Sequence, residues 1–223
     1  MHSTYPQPRS AKHYSMRPSI LKLIDKSVSI LTHPLLMGWL AVVVTLHCVY
    51  PYNYSAQKLA AGLFAAIAVI TPIFIWWIMH LRRRLDSMWQ PHQREQHIGA
   101  VVVSLTCYVV ALSLFRRMGA DFRINTMIAS GCVLQLFSLI TWHFATPNLH
   151  IATQGSLITY FTLLYLTLHV NLALPLVLFI LLCGVVCSIN LELQRQDARS
   201  VLINLLGGIA ITTTIYILFL LQQ

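Results

Sequence analysis

The chain has 223 residues, 57% of them hydrophobic and 9% charged, with a net charge of +9. Soluble domains carry about 25% charged residues, so this composition excludes an ordinary water-soluble globule. It also excludes a nucleic-acid-binding domain, which needs a folded basic surface that no polar segment here is long enough to build.

Residues 1–18 are rich in Pro, Ser, His and basic side chains and read as a tail. Residues 19–28 alternate apolar and charged positions at helical spacing, which suits a short helix lying on lipid headgroups. The chain therefore divides into a basic N-terminal tail with an interfacial helix at 1–28 and a transmembrane helical domain at 29–223. The first apolar run starts too late for a cleavable signal and reads as an uncleaved anchor.

Seven apolar runs follow, at 29–50, 57–80, 98–116, 124–144, 151–170, 172–189 and 199–221. Each approaches the roughly 20 residues that cross a hydrocarbon core. Pro72 falls in the second and Pro175 in the sixth, where neighbouring helices can satisfy the freed carbonyls. Only Val170-Asn171 separates the fifth and sixth runs, which predicts a tight helical hairpin or one bent unit. Gly207-Gly208 in the last run predicts a close helix approach. Trp76, Trp77, Trp142 and the Tyr50/Tyr52/Tyr54 cluster fall near run ends, as interfacial belts do. The fold class that results is all-α, a polytopic transmembrane helix bundle of about seven spans.

The five cysteines, Cys48, Cys107, Cys132, Cys183 and Cys187, all lie in apolar runs as small hydrophobes. With alternating loops, the N-terminal tail and the 81–97, 145–150 and 190–199 segments share one side. That side carries 11 Lys and Arg against 4 on the other, which predicts a cytoplasmic N-terminus.

Three segments on that side concentrate polar groups: Arg82 to His97, His143 to His150, and Ser188 to Asp197. Together they offer Arg and His donors suited to an anion, with Arg82 to Arg84 also reading as headgroup anchors. The pairs His92/His97 and His143/His150 have no carboxylate or Cys ligand beside them at a recognised metal-site spacing, so no metal or cofactor is expected. His33, His47, His80 and His169 sit near run ends as packing or interface residues. On residues alone, no reaction is specified.

The order of motifs resembles the type-2 phosphatidic acid phosphatase superfamily, the lipid phosphate phosphatases, in a small bacterial membrane branch. His33-Pro34-Leu35-Leu36-Met37 is similar to that branch's opening, and Arg94-Glu95 with Ile98 is similar to its basic-Glu-Arg-x-Ile-Pro loop. Pro147-Asn148-Leu149-His150 followed by Gly155 resembles the Pro-Ser-Gly-His motif. Ser188-x-Asn190-x5-Gln196 with Gly207-Gly208 resembles the Ser-x-Arg-x5-His motif and the final glycine-bearing helix. The resemblance runs from about residue 29 to the C-terminal end.

It implies a helical membrane phosphatase acting on lipid phosphates or pyrophosphates through a phosphohistidine, with a lipid-phosphatase-like core. Carried over, His150 takes the general-acid position and Gln196 the nucleophile position. Arg94, Gln96, Asn190 and Asn148 take positions around the phosphate. An amide cannot form a phosphoenzyme, and Asn190 and Gln96 replace charged donors with neutral ones. Loss of a covalent nucleophile costs on the order of 10⁴–10⁶ in rate. The implied function is thus a non-catalytic relative in a bacterial cytoplasmic membrane. It would bind membrane lipids, an anionic headgroup among them, or serve as a subunit for a membrane protein partner. The rival readings are an active phosphatase with a rearranged histidine and a small transporter. The charge count turns these motif loops to the cytoplasm, whereas the resemblance implies a site facing away from it.

Overall fold

Long apolar runs without backbone partners in lipid must satisfy their peptide groups internally, and helix is the local solution. The computed structural model describes residues 28–29, 31–49, 54–75, 77, 93–141, 145–168, 171–193 and 196–222, with backbone alone at 54–57 and 93–97. Among the described residues seven helices follow in order. They are α1 (Pro34–Val49), α2 (Tyr54–Phe64, continuing through a π turn at Ala65–Ile70 to residue 75), α3 (Gln93–Arg117), α4 (Phe122–Thr141), α5 (Leu149–Leu168), α6 (Ala173–Glu192) and α7 (Ala198–Leu220). No strand occurs among the described residues. The expected tail and interfacial helix, Trp76, Trp142, Tyr50, Tyr52, Arg82 to Arg84, His80, His92, His143 and His169 lie outside them, apart from Val28 at the boundary, and His97 is described by its backbone alone.

Among the described residues six helices are long and apolar enough to cross a membrane. The seventh, α1, has 16 residues and reaches about 24 Å at 1.5 Å per residue, short of a core of about 30 Å. The chain is an all-α integral membrane bundle. Leu174 (82% exposed) and Leu181 on α6 are among its most exposed apolar side chains. Of the α4 span 67% is buried, against 17% of α6, so α4 is central and α6 lies on the rim, facing lipid.

The first run departs from expectation in one respect. It is not one helix from residue 29, because the residue before a proline is pushed out of the α region and Pro34 cannot donate to the preceding turn. A helical turn closes with Thr32 N–H on the Val28 carbonyl at 2.8 Å, His33 is non-helical, and α1 restarts at Pro34. The break leaves the Thr32 carbonyl available to a neighbouring helix.

The two other prolines are accommodated within their own helices. Ahead of Pro72, α2 widens into the π turn, where Thr71 N–H donates to the Ala66 carbonyl and Thr71 Oγ1 donates to it at 2.7 Å. Pro175 is the third residue of α6, inside the first turn, where its missing N–H would have had no intrahelical partner. The fifth and sixth runs form two separate helices, α5 ending at Leu168 and α6 starting at Ala173, whose Phe161 and Phe179 rings stack at 5.1 Å.

The tightest packing joins α5 to α7. A Cβ on Gly208 would strike the Ala152 carbonyl, and one on Gly155 would come within 2.5 Å of the Leu205 carbonyl. Ser156 and Thr212 hydroxyls bond across the same seam at 2.6 Å. Close backbone approach of small residues is the usual source of helix attraction in lipid, where apolar burial against other helices gains little. Gly207 turns instead to the Phe137 ring of α4. The expected role of Gly207-Gly208 is therefore met, one glycine per neighbour. On the other side of α4, the Tyr108 ring of α3 fills the space left by Gly131, and its hydroxyl fills that left by Gly38.

Helix direction alternates along the chain. At one end the starts of α5 and α7 meet the end of α6, while at the other Tyr216 of α7 meets Phe122 and Thr167. Arg116 at the end of α3 lies over Phe219 of α7, so α3 starts at the same end as α5.

Candidate functional site

Asn148 caps α5. Its Oδ1 accepts the N–H groups of His150 (3.1 Å) and Ile151 (3.3 Å), two of the orphan donors at a helix start. Its Nδ2 donates to Asn190 Oδ1 at 3.1 Å, and Asn190 Nδ2 donates back to the Val186 carbonyl of its own helix at 2.8 Å. Asn148 N–H donates to Asn204 Oδ1 at 3.1 Å. Asn204 Nδ2 donates to the carbonyls of Thr146 (3.0 Å) and Ser200 (2.7 Å), and Gln196 Nε2 also donates to Thr146 O, at 3.0 Å. Four amide side chains thus clamp the 146–148 segment to α6 and α7. Gln196 is buried, and its Oε1 has no partner among the described residues.

Beside this clamp stand two imidazoles. His150 Nδ1 lies 3.0 Å from the Thr32 carbonyl freed by the break before Pro34. A carbonyl only accepts, so this contact assigns the ring proton to Nδ1 and leaves Nε2 with a lone pair. The His33 ring meets the His150 ring edge-on, centroids 5.7 Å apart. Burial, and then the charge His150 would carry when protonated, hold His33 below its ordinary pKa, so the neutral ring is favoured.

The structure therefore brings His150, Asn148, Asn190 and Gln196 to one end of the bundle, although they come from two separate stretches of chain. It adds His33, from a third stretch and read in sequence as a packing or interface residue. Arg94 and Gln96 sit in the first turn of α3, which starts at this same end, but their side chains lie outside those described. The amide donors of Asn190 and Gln196 are each directed to a protein carbonyl or helix backbone, which lowers their availability to an outside anion.

Two polar residues escaped the sequence reading. Asn204 is nearly fully buried and holds the clamp together, yet as a lone amide in an apolar helix it produces no periodic signal. Gln154 is fully buried with neither amide atom partnered among the described residues, one turn deeper than His150 on the same face of α5.

Among the described residues no group of three or more His, Cys, Asp or Glu is placed to hold a metal ion. Cys183 and Cys187 approach to 4.0 Å on one face of α6 as free thiols. An ion pair, Arg123 with Asp121 at 2.8 Å, stands at the opposite end of the bundle. Fold and site together define a polytopic helical membrane protein with an uncharged amide and imidazole cluster at one end. Comparison with protein-family models, with curated proteins and with solved structures finds no match.

Proposed function

We propose that the protein is a non-catalytic relative of the lipid phosphate phosphatases that holds an anionic lipid headgroup at the His33–His150 end of the bundle. The observation that carries the reading is the meeting of the motif segments. His33 touches His150, Asn148 bonds Asn190, and Gln196 reaches the loop that precedes His150. In-line phosphoryl transfer demands such convergence of acid, nucleophile and phosphate donors around one atom. The chemistry itself is absent from these positions. Gln196 is an amide engaged with the Thr146 carbonyl, and Asn190 is neutral and bonded to its own helix.

A second reading, an active phosphatase, draws support from one feature. His150 is oriented through Nδ1 and keeps an unprotonated Nε2, the form a nucleophile or base requires. The transport reading has no buried carboxylate on the described helices to support it. For orientation we adopt the N-terminus in the cytoplasm, on the charge split, and a bacterial cytoplasmic membrane, on the resemblance.

The test uses the purified chain in nanodiscs with phosphatidic acid, diacylglycerol or phosphatidylcholine. The expected result is no phosphate release from phosphatidic acid or polyprenyl pyrophosphate. Phosphatidic acid alone should raise the unfolding temperature, and this effect should vanish in His150→Ala. Steady turnover that disappears in His150→Ala would establish the enzyme instead. Equal stabilisation by all three lipids would remove the headgroup site.

A further inference from the structure

We propose that a cleft between α1, α3, α4 and α5 is a water-binding site inside the membrane span. The cleft has a volume of about 30 Å³. A buried water needs at least 10–15 Å³ by this measure, so about two fit. Pro34 and Leu149, the first residues of α1 and α5, line its outer end, and their chain neighbours are His33 and His150. Tyr108, Gln135 and Thr153 line it further in. Ser156 lies about 10 Å below Leu149 by helical rise, so the cleft enters the apolar interior.

Its polar lining sets it apart from a dry packing defect. Threonines elsewhere in these helices, such as Thr45, Thr126, Thr141 and Thr159, turn their hydroxyls back to the carbonyl four residues earlier. Thr153 makes no such bond. Among the described residues, Tyr108 Oη and Gln135 Nε2 also have no partner, while Gln135 Oε1 accepts from Ser104. All three residues are more than nine-tenths buried. Buried polar atoms without protein partners are satisfied by ordered water wherever space allows, and leaving them bare costs free energy. Among the described residues the lining carries no charged group, which suits a neutral occupant of this size rather than an ion. Tyr108 is fixed against Gly38 and Gly131, so its hydroxyl stays at the wall of the cleft. The inference does not depend on the headgroup reading.

Radiolytic hydroxyl labelling of the full chain in nanodiscs tests it, because the label forms from water at the residue itself. Each cavity residue has a matched control buried elsewhere, Met127 with Met37 and Tyr108 with Tyr160. Met127 and Tyr108 should label several-fold more than their controls. Equal labelling within each pair overturns the proposal. The sign of Thr153→Val on thermal unfolding gives an independent result. In a hydrated site the variant loses a water partner and unfolds at lower temperature. In a dry one it sheds an unpaired hydroxyl, and a variant as stable as the parent or more so overturns the site.

Discussion

Asn148 and Asn190 are bonded side chain to side chain at 3.1 Å, which ties the start of α5 to the end of α6. Each uses its other amide atom on a helix backbone: Asn148 Oδ1 caps α5, and Asn190 Nδ2 bonds the Val186 carbonyl. The pair is therefore a bracket between two helix ends.

Removing that bracket should weaken the fold by a defined amount. Asn148→Ala loses the cap and the tether together, and cap loss alone costs about 1–2 kcal/mol. Asn148→Asp keeps the acceptor for the cap and loses the donor to Asn190, so it should fall between Ala and the parent. Denaturant unfolding in detergent gives the order. An Ala variant as stable as the parent would mean the bracket contributes nothing.

The α5–α7 seam should tolerate no side-chain growth. Gly208→Leu places a branched side chain where the Ala152 carbonyl lies, and loss of folded protein is expected. Gly184 on the exposed face of α6 has nothing within reach of a Cβ, so Gly184→Ala should be neutral or stabilising by up to about 1 kcal/mol. Similar behaviour of the two variants in a size-exclusion and melting assay would contradict the packing.

Gln154→Leu should stabilise the bundle. The wild-type amide is fully buried with both polar atoms unpartnered, and such groups cost about 1–3 kcal/mol each. A Leu of similar volume removes that cost. A clear fall in melting temperature would instead reveal a partner for the amide, one turn below His150.

Acid should destabilise the protein through His33. Its pKa is lowered in the fold by burial and by His150, from 6.5 in the unfolded chain. Between the lowered value and 6.5, the unfolded chain binds more protons than the folded one. Stability is therefore full above about pH 6.5 and declines as pH falls through that window. The melting temperature measured from pH 8 to pH 5 should drop less in His33→Gln than in the parent. Parallel curves would dismiss His33 as a contributor.

The helices were legible because each apolar run is long and nearly free of charge, so composition alone delimits them. The meeting of His150, Asn148, Asn190 and Gln196 was legible from motif order, since alternating helices return those segments to the same end. What the sequence concealed depends on tertiary placement. The first run was read as one span from residue 29, so neither the break at Pro34 nor the freed Thr32 carbonyl that orients His150 was anticipated. Asn190 and Gln196 stood out as polar, but whether their donors face an outside ligand or a carbonyl depends on the path of residues 146–148. Asn204 and Gln154 are single amides among apolar neighbours, and their importance appears only with burial.

The seam between α5 and α7 also bears on how the protein is made. The two helices that fit most closely are separated in the chain by all of α6. A ribosome delivering them in order must release α5 into the bilayer with its glycine face uncovered until α7 arrives. During that interval the exposed Gly155 and Ser156 are open to other helices in the membrane. Arrival of α7 is then the step that commits the nascent bundle to its final arrangement.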